Sequence, residues 1–466
     1  MAIASTSACA PTISLPRPAV ALPQAFEVRS VAATTGELAL DRWWQAFRDP
    51  QLSHLIDRAL ERSTTARLAV ARIAEARAAR GQARASTLPT GNLAANATEQ
   101  GSERLTGSGI DRPGSESYQA SFSPSWEIDL FGRLAAIRSR ADLDYQVSAL
   151  DFYAVRLALA ADVAGALFQG RFVATQLADA DDSLRILREL AASAALGRSR
   201  GLTSDQDLAR LEADVASGEA EVARLTAELR ASKRSLLILT GEPAASTEAL
   251  PLQPSLAPPP QLPDLAPGVL LARRPDVRQA EVSLQSAART IDIDRLALFP
   301  RLNIQPGVGL SAAAGASSGL WSLAAGVSAP VLDRARLVAS LRVSEARGQQ
   351  AVIGYERAVQ TAFGEAENAL TRVVGGEQRI GRLEQATSRA RQAFDAARRG
   401  YAAGVTDLTT LLQSERTWLQ NRSALQAGRF ALLSDTVTAF RALGGGWDPA
   451  VSLAPEALSH PIEEAK

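Results

Sequence analysis

Ser117-Tyr-Gln-Ala-Ser-Phe-Ser-Pro-Ser-Trp-Glu-Ile-Asp129 alternates without a slip. Tyr118, Ala120, Phe122, Pro124, Trp126 and Ile128 are apolar, and every residue between them is polar. A period of two sends alternate side chains to opposite faces, so the stretch predicts a two-faced strand; a helix would scatter those apolar residues round its circumference. The pattern recurs at 301–311, with Leu302, Ile304, Pro306, Val308 and Leu310 on one face, and at 321–331, with Trp321, Leu323, Ala325, Val327, Ala329 and Val331. It recurs more weakly at 91–99, where Leu93, Ala95 and Ala97 oppose Asn92, Asn96 and Thr98. Segments of about ten alternating residues fit strands that cross a membrane. A half-buried sheet in a soluble protein gives the same alternation. The rest of the chain decides between them, because it reads as helix and offers no further strands. Four strands cannot close a barrel, since the smallest have about eight, and an open edge in lipid leaves amides with no partner. A membrane sheet of this kind therefore has to be shared. Two chains would supply about eight strands and three about twelve.

The composition excludes several classes. The chain of 466 residues has formal net charge zero and is 46% hydrophobic. Lys and Arg total 50, of which only Lys233 and Lys466 are lysine. The arginines are spread along helices among matching acids, which predicts no nucleic-acid surface. No apolar run reaches the roughly 18 residues of a spanning helix. One cysteine, Cys9, rules out a disulfide framework. With only His54 and His460 besides, far apart in the chain, no metal site of Cys and His is expected and most hydrolytic triads are excluded. Neither a Gly-rich phosphate loop nor a nucleophile–base pair emerges, so the sequence predicts no enzyme and no cofactor.

Two long helical stretches follow the second predicted strand. The first runs from Leu134 to about Leu196 without proline, roughly 100 Å at helical rise. The second, to about Thr240, carries 3-4 spacings at Leu208, Leu211, Val215, Gly218, Val222, Leu225, Leu229, Ser232, Leu236 and Leu239, a coiled-coil seam. Asp49-Pro50 opens an earlier helix that is predicted to run unbroken to Leu88. After a linker at 251–267 with seven prolines, the plan repeats. At a constant offset of 203, Gly197, Gly201, Thr203, Glu212 and Gly241 fall on Gly400, Gly404, Thr406, Glu415 and Gly444. The predicted organisation is an arm (1–39), a first repeat (40–250), the linker (251–267), a second repeat (268–443) and a tail (444–466). The expected class is mainly α with a small β part.

The chain resembles the TolC-type outer-membrane efflux factors, in their lipoprotein branch (OprM/NodT-like). The residues that carry the resemblance are Ser125-Trp-Glu-Ile-Asp-Leu-Phe-Gly-Arg133, Arg273-Arg-Pro-Asp-Val-Arg-Gln-Ala-Glu281, Leu298-Phe-Pro300 and Arg200-Gly-Leu-Thr203, within a match over about residues 38 to 447. The resemblance implies three chains building one twelve-stranded barrel and a long twelve-helix periplasmic tunnel. It implies a passive duct for small molecules, driven by an inner-membrane pump of the resistance-nodulation-division class through a periplasmic membrane-fusion adaptor. It also implies that the two helix tips form the entrance and dock the adaptor. They span 197–207 (Gly197, Arg200, Gly201, Leu202, Thr203, Ser204) and 400–410 (Gly400, Gly404, Val405, Thr406). Gly201 and Gly404 permit the reversal, and Thr203 and Thr406 stand where they could cap the following helix.

Asp207 fits the family's acidic position six residues past the tip glycine. Thr410 fills that position in the second repeat, with Asp407 nearby, so a gating ring rests on Asp207 and Asp407 only in part. Tyr118, Phe122, Trp126 and Trp321 read as lipid-interface girdle or as sheet packing. Arg273-Arg274-Pro275-Asp276 reads as a helix start rather than a binding motif. Cys9 follows Thr6-Ser7-Ala8, like the end of a lipoprotein signal, and is a candidate for covalent lipid, palmitate included. Met1 to Ala8 is itself too short and uncharged for a signal peptide. Two other functions fit less well: a duct for type I protein secretion, and a soluble periplasmic coiled-coil scaffold.

Overall fold

The computed structural model describes residues 15, 18, 20–27, 40–101, 104–106, 109–111, 114–201, 203–263, 265–313 and 316–449. Cys9 and Leu202 lie outside these residues. A 3-10 helix at Leu40–Phe47 leads into α1 (Pro50–Arg62) and α2 (Thr64–Ala85). Then come β1 (Thr90–Gly101), a short hairpin of β2 (Arg104–Thr106) and β3 (Gly109–Asp111), β4 (Gly114–Ile128), α3 (Arg133–Ser199) and α4 (Asp205–Leu239). The second half has α5 (Leu270–Arg273), α6 (Pro275–Leu296), β5 (Arg301–Ala313), β6 (Ala316–Ser328), α7 (Arg334–Ala402) and α8 (Leu408–Ala442). Among the described residues no helix is long and apolar enough to cross a membrane.

The single helix predicted from Pro50 to Leu88 is in fact two. Ser63 is extended (φ −61°, ψ 147°), and its hydroxyl accepts the Ala66 N–H at 3.0 Å. A serine that can cap a new helix competes with continuation of the old one. At the start of α1, Asp49 accepts the N–H groups of Gln51 and Leu52 at 3.0 and 3.1 Å, ahead of Pro50 in the first turn. The predicted strand at 117 begins three residues earlier, at Gly114.

The chain divides into two compact units. One is built mainly from 73–149 and 279–357 and holds the sheet. Its order is β1-β4-β5-β6, antiparallel throughout. The register sets Leu93 opposite Phe122, Phe122 opposite Val308, and Val308 opposite Trp321. Four apolar rows thus share one face, and Asn92, Gln119, Asn303 and Ser322 stand on the other. Between β4 and β5 the pairing passes from Phe122–Val308 directly to Trp126–Ile304. Pro124 and Pro306 face each other in that gap, and neither has an N–H to give the ladder. At the end of β4, Arg133 clamps Glu127 with N–H groups at 2.9 and 2.7 Å. Asp129 accepts from the N–H of Leu134 and Ala135 at 3.1 and 2.8 Å, capping α3.

The other unit takes 20–72, 150–278 and the chain from 358 onward. Its core gathers Trp43, Leu52, Ile56, Val163, Leu167 and Phe440, with Trp43 stacked on Phe440 at 5.5 Å. The sequence repeat reappears here as repeated contacts. Gly241 follows α4 at φ +79° and Gly444 follows α8 at φ +75°. A Cβ on Gly241 would lie 2.7 Å from the Arg62 carbonyl oxygen, and one on Gly444 2.8 Å from that of Arg273. Each glycine therefore meets both demands that exclude other residues, a left-handed backbone and close backbone approach.

Arg274 is buried and donates to Asp276 at 2.6 Å, to Glu365 at 2.7 Å and to the Ala442 carbonyl at 3.2 Å. Burial works against its charge, but the two carboxylates outweigh burial and raise its pKa. The motif at 273–276 is thus a helix start whose buried arginine pairs with two half-exposed carboxylates. Gly444→Ala is expected to destabilise the protein by about 1–3 kcal/mol. Gly81→Ala, at an open position of α2 with nothing within 4 Å, is expected to stabilise it by about 0.5–1 kcal/mol. Thermal unfolding of the two variants in detergent should give midpoint shifts of opposite sign.

Candidate functional site

Two features stand apart from the packing: the apolar face of the sheet and the pair of helix tips. On the sheet, Leu93 is 79% exposed, Trp321 83% and Leu323 68%. Tyr118, Phe122, Trp126, Val308 and Leu310 are exposed on the same face. In a lone soluble chain, burial of such a face would be the main source of stability. Tyr118 and Trp126 stand eight residues apart on β4, about 27 Å along a strand, which at the tilt of barrel strands is roughly 20 Å of height, most of an outer-membrane apolar band. Phe122 and Trp321 belong to the row between them. Just past Tyr118, Glu116 faces Glu99 on the same side, so the apolar surface ends there in carboxylates.

The tips are built twice from the same parts. Gly201 and Gly404 both have φ +73°. The Gly201 N–H donates to the Arg198 carbonyl at 2.9 Å, and the Gly404 N–H to the Tyr401 carbonyl at 3.0 Å. A Cβ on Gly197 would meet Thr203 Oγ1 at 2.3 Å, and one on Gly400 would meet Thr406 Oγ1 at 2.3 Å. The threonines therefore fold back onto the end of the preceding helix. This corrects the capping role expected for Thr203 and Thr406, which falls one residue later. Ser204 caps α4, accepting the Asp207 N–H at 3.1 Å while its hydroxyl donates to the Asp207 carboxylate at 2.7 Å. Asp407 caps α8, accepting the Thr410 N–H at 2.6 Å. That hydrogen bond holds its carboxyl below the usual range. Of the two predicted gate residues, Asp407 is thus itself the cap of α8 and is exposed, whereas Asp207 is hydrogen-bonded to the cap of α4. At the outermost point Val405 is 82% exposed.

Behind the tips lies a cluster of Ala194, Leu208, Leu211, Phe394, Leu411 and Leu412, closed by Trp418. Trp418 stacks on Phe394 at 5.2 Å and 4°, and the Arg391 guanidinium lies 4.5 Å from its ring centre. Glu415 is buried in the same cluster, 3% exposed. Sequence reasoning paired Glu415 with Glu212 as a repeat position but gave it no role, since Glu212 is exposed and the spacing carried no sign of burial.

A sheet with an exposed apolar face, joined in sequence to paired coiled-coil helices with duplicated tips, defines a channel-forming outer-membrane protein. The chain belongs to the outer membrane efflux protein family, whose profile matches residues 55–242 and 266–445. It is 30% identical over 418 residues to the pyoverdine export outer membrane protein OpmQ of Pseudomonas putida, covering 87% of this chain and 88% of that one. It is 26% identical over 448 residues to the cation efflux system protein CusC of Escherichia coli, covering 92% and 94%. Among solved structures, the outer-membrane channel OprN superposes with a TM-score of 0.83 at 27% identity, over 94% of this chain and 100% of that one. The protein is thus an outer-membrane channel component for efflux, of the TolC/OprM type.

If the tip glycines are small because the threonines fold back on them, the two positions must be coupled. Gly400→Ala is expected to lower the unfolding midpoint, and Thr406→Ala in the same chain to restore part of the loss. A double-mutant cycle should return a coupling of about 0.5–3 kcal/mol.

Proposed function

We propose that three copies of the chain share one twelve-stranded outer-membrane barrel and one periplasmic helical tunnel, forming a passive exit duct for small molecules that performs no chemistry itself. The observation that carries this reading is the sheet: four strands, one exposed apolar face and two unpaired edges, β1 and β6. Such a sheet is viable in lipid only when other copies pair with its edges. The number three comes from the likeness to TolC-type channels. Energy would come from an inner-membrane pump of the resistance-nodulation-division class, through a periplasmic adaptor docked on the two tips. Their exposure and their duplicated geometry support that assignment. Tyr118 and Trp126 would anchor the barrel at the two interfaces, with Phe122 and Trp321 facing lipid between them. Lipid on Cys9 would add an anchor. Relatives named for pyoverdine export and for cation efflux match this chain in sequence over most of its length, so cargo choice would lie with the pump. A type I secretion duct is the alternative, and the genes adjoining this one would distinguish the two.

Asp207 and Asp407 would narrow the entrance and favour cations, opening as the tip helices untwist. Asp207→Asn and Asp407→Asn keep a side chain that fits a helix N-terminus while removing the charge. Both are expected to raise single-channel conductance or leak in planar bilayers and to weaken cation preference. Unchanged currents would exclude them as gate residues. Palmitate labelling in cells is expected for the natural protein and should vanish in Cys9→Ser; label that persists would exclude lipid on Cys9.

A further inference from the structure

Glu415 has an uncommon position for a carboxylate. It lies on α8 two turns from the tip, on the buried face that also carries Leu411, Leu412 and Trp418. Its Oε1 is buried and accepts no hydrogen bond among the described residues. A carboxylate with one oxygen buried and without a hydrogen-bond partner is costly to ionise, while the protonated form is tolerated. The charges that act on it are few. Asp214 on α4 pushes against its ionisation, and Arg416 on its own helix favours it. Arg416 is itself engaged by Asp214 at 3.1 Å. On α7, Arg391 is laid on Trp418 and paired with Asp395 at 3.0 Å. From α3 the cluster receives apolar side chains, Leu187 and Leu190 among them.

We propose that Glu415 is a proton-operated latch on the helix tips: protonated, it lets α8 pack against α4 and α7; ionised, it loosens that packing. Burial first, and the Asp214 charge second, push its carboxyl from the ordinary 4.5 up to about 7. The packed state then holds the proton more tightly than a loosened state in which the carboxyl meets water. A group whose pKa is raised by packing favours the packed state at low pH. That advantage declines as pH rises from about 4.5 to about 7 and is absent above. Mildly acidic surroundings would therefore keep the tips closed, and neutral surroundings would release them for opening. The effect on transport rests on the tips being the entrance; the latch itself does not.

The test is amide hydrogen exchange on the full-length, detergent-solubilised protein, reading protection factors for residues 408–418 at pH 5 and pH 8. In the wild type, protection should fall by about tenfold or more over that range. Glu415→Gln, neutral at both pH values, should hold its pH 5 protection at pH 8. Glu415→Leu should do the same, which guards against a fault peculiar to one variant. Asp214→Asn should move the transition to lower pH. A Glu415→Gln protein that keeps the wild-type pH profile, or a wild type that is flat, overturns the proposal. Planar-bilayer recording at the same two pH values separates the two readings. PH-dependent exchange in a protein that passes no current would leave the latch standing and defeat the duct. Currents in a protein whose exchange is flat would do the reverse.

Discussion

The constraint on which the structure depends is the unpaired backbone at the edges of a four-stranded sheet. In water, β1 and β6 could each be hydrated along their outer side. In hydrocarbon no such partner exists, and each unmet N–H or C=O costs several kcal/mol. The apolar face shared by Leu93, Phe122, Val308 and Trp321 belongs in hydrocarbon, so the edges must be met by strands of other copies. The facing prolines Pro124 and Pro306 mark the one interruption in the inner β4–β5 pairing. They sit where Trp126–Ile304 and Phe122–Val308 hold the strands on either side.

Duplication is the second organising fact, and it extends to atomic detail. Gly197 and Gly400 make the same approach to a threonine hydroxyl, and Gly241 and Gly444 the same approach to an arginine carbonyl. Two copies of one plan need not stay equivalent at every residue. Glu212 and Glu415 occupy matching positions, yet one is exposed and the other buried. The gate candidates differ too: Asp207 hydrogen-bonds to the capping residue of α4, whereas Asp407 is itself the cap of α8. Functional differences between the two tips are best sought at such broken equivalences.

Much of this could be read from the sequence because the signals were periodic. Alternation over 117–129 gives a strand, and the 3-4 spacing from Leu208 to Leu239 gives a helix seam whose residues are buried or half-buried. The constant offset of 203 gives the repeat. Other features were hidden because they depend on single atoms or on distant partners. Nothing at Arg62-Ser63-Thr64 resembles the usual glycine or proline break, yet the Ser63 hydroxyl restarts the helix. Thr203 and Thr406 have the right chemistry for caps, but the left-handed Gly201 and Gly404 turn them back onto the preceding helix. The stack of Trp418 on Phe394 forms between α7 and α8 across the tip, the burial of Glu415 also involves the distant α4, and no local pattern announces either. The pairing of β4 with β5, across the two repeats, is likewise a tertiary fact.

The shared barrel is the central claim, and the mass of the particle extracted from outer membranes tests it most directly. Light scattering with the detergent contribution subtracted gives the protein mass alone. Three chains of 49.2 kDa in one stable particle is the result this account requires. A particle of one chain that stays soluble without detergent would contradict it, because the sheet edges and the apolar face would then have no partner to cover them.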